Sequence, residues 1–443
     1  MTELLKSLRK HMCKDTNQPN SLNETSPNNV ESKTSEQVGY DAEWTDPAKL
    51  PDMTTIRKMD AFFGKGSEME DLYFLPRKGL MSDKIETPKG YKTLFSGYNY
   101  LGLGADPAVI ERTVKAVRDF GTHAGAARMV GGEITLHGEL ERKLAQFVGT
   151  EDAIVTVGGY VANMTAIGYF LGKNDLLIHD ALMHNSGVMG GVLSQARRIS
   201  FRHNDLDHLE TLLEANRGSV ERTIILVEGA YSMDGDIANL PRLLEIKHKY
   251  NCWLMVDEAH SVGTLGETGR GLSELYDTDP REIDLIMGTL SKSFGSCGGF
   301  ICCNAQFGTF LRNLAPGFLM YSTGISPANT AAALAAVEML EQEPERLRKL
   351  MSNSKFFCDT ARAANLNVGL ATGQVPIVPI ILGDDVMTLN AAGALLKEGM
   401  IAHPILHPVV ERGGSRIRFF ITADHREEDM ARCISIMKEA VSQ

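Results

Sequence analysis

The sequence contains no run of about 18 apolar residues, the length needed to cross a bilayer. Its opening stretch, MTELLKSLRKHMCKD, also lacks the uninterrupted apolar core of a secretory signal. Together these absences predict a cytoplasmic chain with no membrane span. Positive charge is in deficit: 45 Lys plus Arg stand against 56 Asp plus Glu, a net charge of -11. That balance argues against nucleic-acid binding through a basic surface. Zinc-type spacing is missing too, because Cys13, Cys252, Cys297, Cys302, Cys303, Cys358 and Cys433 form no CxxC pair and no His-spaced cluster. Seven is also an odd number of cysteines and fits a reducing compartment with no disulfide framework. No repeat of fixed period appears.

What is present is 443 residues of ordinary globular composition, 43% hydrophobic and 23% charged, enough to bury cores in two or more lobes. Residues Thr16 to Gln37 are nearly all polar and bury too little to offset the entropy of ordering, so residues 1–40 are expected to form a disordered tether. Within it, Glu3 to Met12 can form a short helix with Leu4, Leu5 and Leu8 on one face. Residues 41–90 read as an irregular arm whose Trp44, Phe62, Phe63 and Tyr73 need a surface to pack on, for which a second subunit is a candidate.

From residue 91 the texture becomes regular. Apolar strand-like runs (Ala153 to Val157, Leu176 to His179, Thr223 to Val227, Trp253 to Val256, Asp284 to Met287, Phe300 to Cys303) alternate with helical stretches such as Leu136 to Phe147 and Leu240 to Tyr250. Strands separated by helices predict an α/β domain over 91–327, with a mostly parallel sheet covered on both faces. After Pro327 come long helices, Ala328 to Glu341 and Arg346 to Ala364. Val375 to Leu382, Met387 to Lys397, the strand-like Ser415 to Ile421 and a helix from Glu427 follow, predicting a smaller α+β domain over 328–443.

Two strand ends carry candidate chemistry. In CWLMVDEAHSVG the apolar strand stops at Asp257, with His260 three residues on, and a carboxylate there points into the crevice where parallel sheets bind ligands. In GTLSKSFGSCGG, Lys292 stands among Thr289, Ser291, Ser293 and Gly295. Hydroxyls and backbone amides hold phosphate, and a desolvated lysine loses its proton readily enough to form an imine. Each feature alone is common as a turn, cap or surface residue. Together they suggest pyridoxal phosphate: an amine for the aldehyde, a carboxylate for the ring nitrogen and a phosphate cradle. Gly158, Gly159 and Tyr160 at a strand-to-helix junction supply a candidate cradle, and His184 in DALMHNSG is a candidate to stack on the ring.

These segments resemble the α-oxoamine synthases, pyridoxal-phosphate enzymes of the aspartate-aminotransferase fold (fold type I). The resemblance is carried by SGYNYLGLG (96–104), LHGELERKLAQF (136–147), DALMHNSG (180–187), VEGAYSMDGD (227–236), VDEAHSVGTLGETGRG (256–271) and GTLSKSFGSCGGF (288–300), in the family's order along the chain. It implies that Lys292 forms the internal aldimine, Asp257 pairs with the pyridinium nitrogen, His184 stacks on the ring and His260 donates to the phenolic oxygen. It further implies that Thr289 binds phosphate, that Gly159 and Tyr160 lie at the cradle and that Glu228 and Ser232 line the cofactor pocket. The site is then shared across a homodimer, Ser322 and Thr323 reaching the neighbouring subunit's phosphate.

The implied reaction condenses an amino acid with an acyl thioester, on coenzyme A or on an acyl carrier protein, and loses carbon dioxide to leave an α-amino ketone. Tyr98 and Asn99 before Tyr100, Leu101 and Gly102 resemble the serine palmitoyltransferase branch of lipid metabolism, so serine is favoured over glycine or alanine. The chain departs from the bacterial pattern at Leu406, His407 and Pro408, where an Arg-Pro-Pro is usual. Arg418 then becomes the expected ligand for the substrate carboxylate, through a bidentate fork, with Arg416 expected on the opposite face of the strand. An aminotransferase or aldolase of the same fold is the alternative, against which HNSG and DEAHSVG weigh. A catalytically silent partner subunit is disfavoured by the intact Lys292.

Overall fold

The structure, a computed structural model, describes residues 45–50, 53, 71–407 and 409–442. The helix expected over Glu3 to Met12, the tether Thr16 to Gln37, and Trp44, Phe62 and Phe63 lie outside the described residues. The chain divides into two compact units, Met1–Asp71 and Leu72–Gln443. The described part of the first includes a 3-10 turn, Pro47–Lys49, whose cap Asp46 accepts from the N–H of Ala48 at 2.9 Å. The second unit carries everything that follows.

A hairpin opens it, β1 (Lys84–Thr87) and β2 (Gly90–Leu94). Helices α1 (Pro107–Phe120) and α2 (Thr135–Val148) lead into the main alternation: β3 (Asp152–Thr156), α3 (Gly159–Phe170), β4 (Leu176–Asp180), α4 (Asn185–Ser194), β5 (Arg197–Phe201), α5 (Leu206–Asn216), β6 (Thr223–Glu228), α6 (Leu240–Tyr250), β7 (Trp253–Asp257), β8 (Leu285–Thr289) and β9 (Gly299–Cys303). These strands make one seven-stranded sheet in the order β3-β9-β8-β7-β6-β4-β5. The run from β8 to β5 is parallel, and β9 runs antiparallel to both of its neighbours.

The near-continuous apolar runs of the central strands follow from burial on both faces. Side chains alternate across the sheet: Ile225, Val227, Leu254 and Val256 enter one core cluster, while Ile224, Leu226, Met255 and Met287 enter the other. The sheet matches the expected mostly parallel α/β design, with strand limits shifted by a residue or two. Asp284, expected to open a strand, lies just outside it. Its carboxylate accepts from the Leu254 N–H at 2.7 Å and pairs with Lys247 at 2.8 Å, which favours a corner over a pleat.

Beyond β9 the chain continues through α7 (Ala305–Leu314), α8 (Pro327–Gln342) and α9 (Pro344–Ala363) to β10 (Ile377–Gly383), α10 (Asp385–Lys397), β11 (Met400–Ile401), β12 (Pro404–Ile405), β13 (Ser415–Phe420) and α11 (Glu427–Val441). Helix α8 lies along α1 and α2. Strands β10, β13 and β12 form an antiparallel sheet, and β11 joins β2 in parallel, tying the hairpin to the C-terminal residues. Among the described residues no helix is long and apolar enough to cross a membrane, and no group of three His, Cys, Asp or Glu could hold a metal ion.

Candidate active site

Strands β6, β7 and β8 end side by side, so register alone brings their terminal residues together: Glu228 faces Asp257, and Asp257 faces Met287. Both carboxylates are buried. Asp257 accepts from Asn163 Nδ2 at 2.7 Å and from the Ala259 N–H at 3.0 Å. Glu228 accepts from two backbone amides, His184 N–H at 2.8 Å and Ser232 N–H at 3.0 Å. Burial, with the negative Asp257 next to it, pushes the Glu228 carboxyl up to about 8.

Lys292 sits in the tight connection between antiparallel β8 and β9. The turn is closed by Leu290 N–H to Gly298 O at 3.0 Å and Gly295 N–H to Lys292 O at 3.0 Å. Ser293 Oγ donates to Val262 O at 3.1 Å, docking the turn on the loop after β7. Lys292 Nζ therefore comes within 2.7 Å of His260 Nε2, and His260 Nδ1 lies 2.9 Å from the Tyr100 hydroxyl. Burial holds the Tyr100 phenol protonated and His260 neutral, with the positive charge of Lys292 adding to the effect on the histidine. Lys292, an ammonium with donors only below about 8, donates to Nε2, which leaves the imidazole proton on Nδ1 for the Tyr100 oxygen to accept. Burial, helped by Arg418, brings the Lys292 amine down to about 8, against the opposite pull of Asp257 and Glu228.

The antiparallel C-terminal sheet supplies the other wall. Lys292 Nζ stands 5.6 Å over the Tyr98 ring, which meets Phe420 edge-on at 4.9 Å. Phe420 stacks parallel to His260 at 6.2 Å and carries the Arg418 guanidinium 4.6 Å above its ring. Arg418 Nη1 donates to Ser232 O at 2.7 Å. The residues thus form one chain of contacts: Lys292, His260, Phe420, Arg418, Ser232, Glu228, His184, Ser186, Asn163 and, at its end, Asp257, whose charge acts on Lys292 without a bond between them. The last links are His184 Nδ1 to Ser186 Oγ at 2.7 Å and Asn163 Nδ2 to Ser186 Oγ at 2.9 Å.

Gly158 and Gly159 start α3 at this same edge. A Cβ on Gly159 would stand 2.9 Å from the end of Met287 and 3.2 Å from Thr289 Oγ1, so glycine permits the approach of the helix start to β8. A Cβ on Gly158 would meet nothing within 4 Å, so the chain is open on that side of the helix start, where free amides favour an anion. Thr289 Oγ1 lies 3.1 Å from Gly298 O, and Tyr160 donates to Asn185 Oδ1 at 2.9 Å beside the exposed His184 ring. An amine, a buried carboxylate and an anion-binding helix start grouped in this way fit pyridoxal phosphate.

Of the residues singled out in the sequence, Ser322 and Thr323 stand apart from this group. Thr323 bridges to Ala127, and Ser322 Oγ contacts Thr323 O at 3.4 Å. Arg416 requires a correction: residues two apart on a strand share a face, and Arg416 reaches the same loop as Arg418, pairing with Asp234 at 2.6 Å. Asn163, Tyr100, Ser186 and Phe420 were not singled out. Asn163 did leave a signal, as a fully buried amide in the otherwise apolar stretch GYVANMTAIGYF.

Comparisons with known proteins agree with this geometry. The family described as aminotransferase class I and II matches residues 91–436. The 8-amino-7-oxononanoate synthase of Beijerinckia indica is 39% identical over 349 residues, 79% of this chain and 88% of that one. Its counterpart from Symbiobacterium thermophilum is 35% identical over 377 residues, 83% and 95% of the two chains. Among solved structures, the serine palmitoyltransferase of Sphingomonas wittichii superposes with a TM-score of 0.84 at 29% identity, covering 89% of this chain and 98% of that one. A serine palmitoyltransferase from S. paucimobilis, solved with pyridoxal phosphate and myriocin bound, gives 0.82 at 28% identity with the same coverage. Fold, site chemistry and relatives converge: the chain belongs to the α-oxoamine synthases, pyridoxal phosphate-dependent acyltransferases within the aminotransferase class I and II family.

Proposed function

We propose that the chain condenses L-serine with an acyl thioester, on coenzyme A or an acyl carrier protein, releasing the thiol and carbon dioxide and leaving an α-amino ketone. The observation that supports this reading is the unbroken chain of contacts from Lys292 through His260, Arg418, Glu228 and Asn163 to Asp257. When bound, pyridoxal phosphate supplies the aldehyde for Lys292 and the electron sink for the charge that develops at the substrate Cα.

Asp257, held by Asn163 and the Ala259 amide, offers a fixed carboxylate to the ring nitrogen. His184 would cover the ring face, and His260, whose Nε2 meets Lys292, would stand by the phenolic oxygen. The amides at Gly159 and Tyr160, with Thr289, take the phosphate, and Glu228 and Ser232 hold the pocket wall. Lys292 would hold the cofactor's aldehyde, and as an amine near 8 it is matched to take a proton from a substrate Cα at neutral pH. Arg418 is pre-anchored: one nitrogen is committed to Ser232 O and the plane rests on Phe420, leaving the rest of the fork for the amino acid's carboxylate. Tyr98, half-exposed beside Lys292, borders the amino acid's side chain. In a homodimer, Ser322 and Thr323 serve the neighbouring phosphate.

Alanine is the second reading, favoured by the 35% and 39% identical relatives, which are 8-amino-7-oxononanoate synthases. A spectral titration of the holoenzyme with L-serine, L-alanine and glycine separates the two, followed by thiol release from an acyl thioester. Saturation by serine at the lowest concentration supports the first reading, and by alanine the second. Amino-acid binding without thiol release from any thioester would overturn the condensation.

A further inference from the structure

One buried charge cluster takes no part in the chemistry above. His203, in the turn FRHND after β5, bonds through both ring nitrogens: Nδ1 lies 2.9 Å from Asp180 Oδ1 and Nε2 lies 2.9 Å from Asp236 Oδ2. A neutral imidazole has one N–H and would turn a lone pair toward one of the carboxylates, so this geometry calls for the imidazolium. Both carboxylates are buried, Asp180 fully. Asn204 completes the cluster, its N–H donating to Asp180 Oδ2 at 2.8 Å and its Nδ2 to Asp236 Oδ2 at 2.6 Å.

The two carboxylates belong to two different loops that leave adjacent strands. Asp180 ends β4 and accepts from the Leu182 N–H at 2.8 Å, so it governs the start of the loop that carries His184. Asp236 closes the loop after β6, with Tyr231 N–H donating to Asp236 O at 2.9 Å and Gly235 N–H to Tyr231 O at 2.9 Å. Gly235, at φ 68°, is packed so tightly on β10 that a Cβ would collide with Ile377 O. That loop carries Ser232, whose carbonyl anchors Arg418, and Met233, whose sulfur lies 3.5 Å from Arg418 Nη1. Glu228 joins the two loops at the site end, and His203 joins them at the outer end. Between them opens a cavity of about 500 Å³ lined by Leu182, His203, Met233 and Asp234 among others.

We propose that His203 is a positioning residue, a cationic staple that fixes the His184 loop against the Ser232–Met233 loop. It thereby sets the place of Arg418 and the affinity for the amino acid's carboxylate. The inference deepens the proposed function and rests on Arg418 as the carboxylate ligand.

The test is His203→Gln in the holoenzyme, titrated spectrally with whichever of serine, alanine or glycine saturates the wild type. The staple predicts an unchanged visible cofactor band per mole and a half-saturating amino-acid concentration raised about tenfold, the scale of a lost charge-assisted contact. The change appears in KM far more than in kcat. Asp236→Asn keeps an acceptor for Nε2 and loses only charge, so it predicts a rise of about threefold. An unchanged half-saturation in His203→Gln overturns the proposal even if its melting temperature falls. If that variant does not fold, an unchanged value in Asp236→Asn does the same. A wild type that answers to no amino acid refutes the proposed function separately. His203 is then read from the visible circular dichroism of the bound cofactor, which the staple predicts to change in His203→Gln and whose constancy would refute it.

Discussion

Glu228 and Asp257 end β6 and β7, Asp180 ends β4 and Asp236 lies in the loop after β6, and the two pairs of carboxylates are neutralised differently. Asp180 and Asp236 share a full cation bonded to both, and although burial alone would raise Asp180, His203 and the amides of Asn204 and Leu182 hold it below the usual carboxylate range. Glu228 and Asp257, one and two strands over, receive only neutral donors directly: backbone amides and the Asn163 side chain. Among the described residues, the first pair thus has its cation bonded within it, with Asp236 Oδ1 the one oxygen left without a partner. The second has no cation among them bonded to it, and with Glu228 pushed up to about 8 it is Asp257 that carries the negative charge, the condition for accepting a cationic ring nitrogen from outside. The lesson is that burial of acids does not by itself mark a binding site; the missing counter-charge does.

The largest effect expected is at the open pair. Lys292→Ala removes the amine, and the protein should lose the visible absorbance of lysine-bound cofactor together with measurable turnover; turnover that persists would refute the lysine's role. Asp257→Asn keeps the shape and an acceptor while removing the charge. Cofactor should still bind, with exchange of the substrate α-proton slowed by about 10²- to 10⁴-fold, and exchange at the wild-type rate would dissolve the distinction between the two pairs. Arg418→Ala should raise the half-saturating amino acid by about 10- to 100-fold, the range for hydrogen bonds to a charged group, with cofactor affinity intact. Equal binding would assign the carboxylate to another cation.

The smallest effect concerns the closed pair and is read as stability against pH. Burial lowers the tendency of His203 to be charged, yet Asp180 and Asp236 override it and raise its pKa to about 10. A pKa raised by folding stabilises fully below the ordinary histidine value of about 6.5, and that contribution is withdrawn as pH climbs through about 10. Besides the two aspartates, Tyr231 faces the imidazole, edge-on at 4.5 Å. The wild type should therefore lose melting temperature between pH 7 and 10 more steeply than His203→Gln. Parallel pH curves would mean that His203 carries no charge worth counting.

Much of the fold was legible because the central strands are apolar on both faces and end in residues of a different kind. Asp257 and Lys292 stand out for that reason: each closes or follows an apolar run that gives no local reason for a charge. Asn163, Tyr100 and Phe420 did not stand out, since an amide in a helix and aromatic rings in a loop or strand have ordinary structural uses. Arg416 and Arg418 show the same limit, because identical chemistry two residues apart was divided between two roles only by Asp234 and the Ser232 carbonyl.

By itself the sequence determined the alternation of strand and helix, the placing of acids and a lysine at strand ends, and the glycines that let α3 approach β8, because these depend on periodicity and on the steric freedom of single residues. Only the tertiary structure decided which acids meet a cation, which nitrogen of His260 faces Lys292 and which arginine is left with a free fork. Those properties belong to pairs of groups brought together from distant parts of the chain, and their energies arise only once burial has removed the water between them.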